Sequence, residues 1–169
     1  KRPEASLDMK ITRILNTACL LALALAAPLI HAQTLNWGSP VGTELVDSHG
    51  DEIDGSFEFE LGAFNLGFIP DENNMEDWDL NWKTFDTASY NQSFGYFTST
   101  VHVISDLSGN VTSSNPNASP GNFSGLLAYL WIRNQATPGQ NTEWLLVRAN
   151  NWTFPVTAGD CCDTSVIEW

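Results

Sequence analysis

Ser56-Phe57-Glu58-Phe59-Glu60-Leu61-Gly62 is the stretch whose reading decides the fold. Apolar and charged residues alternate along it, and successive side chains of a strand point to opposite faces of a sheet. Phe57, Phe59 and Leu61 are therefore expected against a core, with Glu58 and Glu60 in water. Working outward, Glu44-Leu45-Val46 reads as a short strand entering a turn-rich loop from Asp47 to Gly55. On the other side, Asn74 to Lys83 reads as a helix. Asn74 can cap it, Glu76 and Asp77 suit the positive end of its dipole, and Met75, Trp78 and Trp82 fall on one face. So short a helix is marginal alone, so it is expected to dock on a sheet through its tryptophans.

Tyr96 to Ile104 is β-branched and aromatic and predicts a strand, and Ser105 to Asn122 predicts a long surface loop. Leu126 to Arg133 and Glu143 to Ala149 read as a hairpin joined through Pro138-Gly139. Both arms are apolar on both faces, which predicts central strands. Trp152-Thr153-Phe154 and Val166 to Trp169 read as further short strands, and no internal repeat is present. Short strands separated by turn signals, with one short helix, predict a mainly-β fold: an antiparallel β-sandwich of jelly-roll-like form.

Residues 1–8 precede Met9 and read as upstream translated sequence. Residues 9–32 have the three-part layout of a secretory signal peptide. Lys10 and Arg13 are basic, Ile14 to Ala27 is mostly apolar, and Pro28 and Leu29-Ile30-His31-Ala32 lead to a small residue before a cut. The apolar run is too short to span a bilayer, which takes ~20 apolar residues. The exported chain is expected to begin at Gln33, with residues 33–169 forming a single β-rich domain. It breaks off at Glu168-Trp169 in what reads as the middle of a strand, so further sequence is expected beyond it.

The whole chain carries a formal net charge of −13, and only Lys83, Arg133 and Arg148 among its basic residues follow residue 32. Such a balance argues against nucleic acid and anionic membrane surfaces, which attract basic patches. It allows divalent cations, basic partners or plain solubility. All 7 Trp and all 9 Phe follow the leader, so the acidity does not mean disorder.

Asp47, Asp51 and Asp54, with Gly50 and Gly55, form the densest carboxylate cluster on a loop and are the calcium candidates, because calcium takes several oxygen ligands from flexible loops. Their spacing is not that of an EF-hand, and the same residues suit an Asx-turned hairpin. Cys161 and Cys162 are adjacent: they can close a strained vicinal disulfide, bond to other chains, or stay reduced. Trp37 and Trp152, flanked by Asn36 and by Asn150-Asn151, are the candidates for stacking on a sugar ring. Catalysis has little material. His49 and His102 lie in different segments, no nucleophile elbow or metalloprotease helix occurs, and the carboxylates a glycosidase could use would be Glu143 and Glu168.

Several blocks together resemble a known group. They are Val46-Asp47-Ser48-x-Gly50, Gly55-Ser56-Phe57-x-Phe59-x-Leu61-Gly62-x-Phe64, Gly67-Phe68-x-Pro70, Trp78-x-x-Asn81-Trp82, Glu143-Trp144 and Trp152-x-Phe154-Pro155. Over residues 36–169 the chain is similar to exported β-rich proteins of marine bacteria that often end in a PEP-CTERM sorting tail. The resemblance implies delivery to the cell surface or extracellular matrix and brings no catalytic residues with it. The tail itself, Pro-Glu-Pro followed by a membrane helix and a basic end, is absent from these residues. The expectation is a non-catalytic surface or matrix protein with no resident cofactor. An extracellular polysaccharide-binding module and a small secreted hydrolase stand as alternatives.

Overall fold

The computed structural model describes residues 31–135, 139–156 and 164–168. Cys161 and Cys162, and nearly all of the expected leader, lie outside them. The described residues are mainly β, arranged as two sheets packed into a β-sandwich. One sheet has β1 (His31–Gly38), β4 (Tyr90–Asn91), β5 (Tyr96–Ser105), β6 (Val111–Ser113) and β9 (Thr164–Glu168). The other runs in the order β3 (Trp82–Ala88), β2 (Glu58–Phe64), β7 (Tyr129–Arg133) and β8 (Trp144–Val147). All pairings are antiparallel except β1 with β9, which is parallel. Strand β1 begins at His31, two residues before the expected Gln33 start, and pairs through Ala32 with Ile104.

The inner faces meet as the alternation predicts. Leu35 and Trp37 from β1 and Phe97, Val101 and Val103 from β5 pack against Phe59, Leu61 and Ala63 of β2, Phe85 of β3, and Leu130 and Ile132 of β7. The Phe59 and Phe97 rings stack across the two sheets with centroids 4.2 Å apart. On β5 the other side chains, Thr98, Thr100 and His102, face solvent, so that strand is half-wet in the expected manner.

Strand β2 is different. Its alternation is correct, yet Glu60 is only 5% exposed, so the expectation that Glu60 faces water is wrong. A second apolar layer of Phe64, Trp78, Tyr129 and Trp131, with Trp82 and Trp144 packed on it, covers the outer face of that sheet. Trp131 is fully buried, and the Trp82, Trp78 and Trp144 rings meet it edge-on at 5.3, 6.0 and 5.0 Å.

The helix does dock there, but it is shorter than expected. A 3-10 turn, Met75–Asp77, leads into α1 (Trp78–Asn81), and Trp82 already belongs to β3. Asn74 makes no cap hydrogen bond; its Oδ1 instead accepts from Trp78 Nε1 at 2.9 Å and from the Asp71 backbone N–H at 2.9 Å. An indole competes for the oxygen that a longer helix would have used as a cap.

Further expectations are corrected as well. The long loop after Ser105 contains β6, because Val111 is fully buried and pairs with Ser105. The hairpin of β7 and β8 forms, but only β7 is central; β8 is at the end of the sheet order and is half-buried. Strand signals at Leu45-Val46 and Thr153 reduce to single bridges, Val46 to Glu52 and Leu127 to Thr153.

Gly62 is fixed by close approach. A Cβ there would lie 2.3 Å from the Lys83 carbonyl oxygen and 2.5 Å from the Trp82 ring. The register slips at this point, with Leu61 opposite Asp86 and Gly62 opposite Thr84. The extra residue is Phe85, which the bulge aims into the core.

Candidate functional site

The loop from Asp47 to Gly50 is a tight turn built by its own aspartate. Asp47 Oδ1 accepts the backbone N–H groups of His49 at 2.8 Å and Asp51 at 3.0 Å, and Gly50 takes a φ of 87° that L side chains avoid. Donation by the Asp51 backbone N–H holds the Asp47 carboxyl below its ordinary value of 3.8; burial opposes it, and the N–H and imidazole of His49 add to the lowering. Asp54 does the same work one turn later. It binds the Ser56 hydroxyl and backbone N–H at 2.6 and 2.8 Å, and its carboxyl is lowered too.

The loop does not stand free. Glu143, just before β8, reaches across and accepts the Ser48 hydroxyl on Oε1 at 2.7 Å and the Ser48 backbone N–H on Oε2 at 2.9 Å. His49 Nδ1 lies 3.3 Å from Glu143 Oε1 and 3.6 Å from Asp47 Oδ2. Both carboxylates are about four-fifths buried, at 21% and 18% side-chain exposure, while the imidazole is 73% exposed. Among the described residues, Asp47, His49 and Glu143 are the one group of three His, Cys, Asp or Glu whose ligand atoms all lie within 4.8 Å of one another. The calcium candidates therefore do not assemble as a set. Asp47 finds His49 and Glu143, whereas Asp54 serves its own turn.

A cleft of about 610 Å³ opens beside this cluster, between the 44–57 segment and the hairpin. Ile53, Met75, Ile132, Trp144 and Leu145 give it apolar walls, and Asp47, Ser48 and Glu143 stand among its polar groups. The sequence offered Asp47 as a metal ligand, and His49 and Glu143 only as scant catalytic material, without joining the three. Ser48 and Glu143 are 95 positions apart, so no local spacing could have signalled the contact.

The tryptophan candidates are placed elsewhere. Trp37 is 3% exposed, with its ring edge-on to Phe97 at 5.9 Å and its Nε1 donating to Asp86 Oδ2 at 2.8 Å. That ring has no face free for a sugar. Trp152 is half-buried and packs on the sandwich core. Glu143 and Glu168, the carboxylates suggested for a glycosidase, sit on different sheets: Glu143 leads into β8, and Glu168 ends β9.

The remaining buried polar groups are structural. Arg133 Nη2 donates to Glu60 Oε1 at 2.5 Å, Trp82 Nε1 and the Thr84 hydroxyl donate to Glu60 Oε2 at 2.7 and 2.5 Å, and Arg133 also reaches Asp79 at 3.1 Å. No protein-family model, no curated protein and no solved structure matches this chain.

Proposed function

We propose that this chain is a non-catalytic exported protein of the cell surface or extracellular matrix. The observation that carries the reading is where its carboxylates go. Asp47, Asp54, Asp71 and Asp106 each accept the backbone N–H of the residue two positions on, so they build turns. Glu60 and Asp86 are spent on Arg133 and Trp82, and on Trp37 and Asn115. Carboxylates used in this way serve the scaffold, and those left exposed, such as Glu44, Asp51 and Glu58, give the chain a charged exterior. The likeness to exported proteins of marine bacteria and the basic-then-apolar segment 9–32 support the same location. Among the described residues no helix is long and apolar enough to cross a membrane.

Fractionation of producing cells, with the N-terminal residue of the native polypeptide determined, tests the proposal. The expected product lies outside the cytoplasm and begins at Gln33. A cytoplasmic polypeptide that still carries residues 9–32 refutes it.

A second reading, an extracellular carbohydrate-binding module, is favoured by the cleft. Trp144 and Leu145 offer an apolar wall beside Glu143, Ser48 and Asp47, the mixture a sugar ring needs. It moves the stacking role from Trp37 and Trp152 to Trp144.

A further inference from the structure

The Asp47–His49–Glu143 cluster has a geometry that turn-building does not require. Asp47 needs only Oδ1 to close its turn, and Oδ2 is left directed at the imidazole. Glu143 accepts both groups of Ser48, which fixes the plane of its carboxylate. His49 Nδ1 then sits 3.3 Å from one oxygen and 3.6 Å from the other. A tetrahedral zinc ion at about 2.0–2.1 Å from its ligands holds neighbouring ligand atoms about 3.3–3.4 Å apart, so the two separations from His49 are close to edges of such a polyhedron, and the Asp47 and Glu143 oxygens, within 4.8 Å of each other, would close the third on binding. Two carboxylates and one imidazole are also a donor set that suits zinc better than calcium, which takes about six to eight oxygens.

We propose that Asp47, His49 and Glu143 bind a zinc-type divalent cation at the mouth of the cleft, with a fourth position left to water. The ion bonds all three side chains and ties the 47–50 turn to the β8 end of the hairpin. The turn N–H groups on Asp47 and the Ser48 groups on Glu143 act as the outer shell that aims each ligand. A chain of net charge −13 draws a cation toward this edge from solution. The inference goes beyond the surface-protein proposal and does not depend on it, because it is read on purified protein wherever the cell places it.

The test is titration of the purified protein, stripped with EDTA, against Zn²⁺, Ca²⁺ and Mg²⁺, following heat release and Tm. Zn²⁺ is expected to bind one per chain at this site and raise Tm, with Ca²⁺ and Mg²⁺ far weaker. His49→Ala removes a mostly exposed ring and is expected to leave the fold intact, and Glu143→Gln keeps one of the two acceptors for Ser48. Each is expected to weaken Zn²⁺ binding more than about tenfold, and Ser48→Ala by about tenfold through the outer shell. A Cys161→Ser/Cys162→Ser variant is expected to bind as the parent does. No saturable Zn²⁺ binding, binding untouched by His49→Ala and Glu143→Gln, loss of all binding with the cysteines, or Ca²⁺ binding as strong as Zn²⁺ each overturns the proposal. The metal-free urea midpoint of each variant separates loss of a ligand from loss of the fold.

Discussion

Glu60→Ala removes the acceptor at the centre of the covered face, and its cost can be worked out from the contacts. Glu60 is 5% exposed and takes hydrogen bonds from Arg133, Trp82 and Thr84. Truncation leaves a guanidinium that is 11% exposed, an indole N–H and a hydroxyl without that partner. Breaking a buried ion pair from one side costs about 3–5 kcal/mol. Arg133 keeps Asp79 at 3.1 Å and Glu58 at 3.5 Å, both on the exposed rim, so the lower figure applies. A loss of about 3 kcal/mol is a large share of a domain's typical 5–15 kcal/mol. Equilibrium urea unfolding by tryptophan fluorescence measures it. Glu60→Gln keeps an acceptor and loses the charge, so it should cost less, about 1–2 kcal/mol. Glu60→Leu with Arg133→Met should recover only the ion-pair part of that loss, because the Trp82 indole N–H and the Thr84 hydroxyl still lack their acceptor. If Glu60→Ala costs under about 0.5 kcal/mol, as surface substitutions do, Glu60 is solvated and the covered outer face is wrong.

Gly62→Ala should destabilise by about 1–3 kcal/mol, because its Cβ meets the Lys83 carbonyl at 2.3 Å and backbone must shift; an unchanged urea midpoint would show that Trp82 does not lie over this strand. Acid should weaken the turns. The carboxyls of Asp106, through the Asn110 side chain and backbone first, and of Asp54, through Ser56, are lowered from 3.8. A lowered folded-state pKa means their contribution is complete above that ordinary value and disappears as pH falls through the folded value. Tm should therefore drop below about pH 4, and Asp106→Asn should flatten part of that drop; an acid profile identical in the variant would refute the assignment.

The inner half of this sandwich was legible because it needs only a period of two. Phe59, Leu61, Phe97, Val101 and Val103 alternate with polar neighbours, and all five are buried. Its outer layer was not. Glu58 and Glu60 look alike along the chain, yet one is 66% exposed at the side chain and the other 7%. What separates them is Arg133, Trp82 and Thr84, and nothing at positions 58 and 60 states where those residues will lie. Trp82 illustrates the same limit, since its spacing from Trp78 fits a helix and it begins a strand instead. Its aromatic partners, Phe64 at 5.1 Å and Trp131 at 5.3 Å, come from two other strands. Asp47 was legible as a turn-forming carboxylate, while its neighbour Glu143 became visible only when the hairpin was placed.

That placement is itself the work of the outer layer. Trp144 follows Glu143 directly, and its ring lies stacked against Trp78 at 5.9 Å and edge-on to Trp131 at 5.0 Å. The short helix that supplies Trp78 thus fixes the start of β8, and through it the point from which Glu143 reaches Ser48. An edge strand of four residues has few ladder bonds to hold it, so side-chain packing must set its position. Trp78→Ala should then act at a distance: the aromatic stack loosens, Trp144 gains freedom, and the Glu143 carboxylate loses its fixed approach to the 47–50 turn. The cleft and the cation cluster are in this sense products of the buried outer face, and a protein whose outer face was wet, as the alternation of β2 alone implies, would have neither.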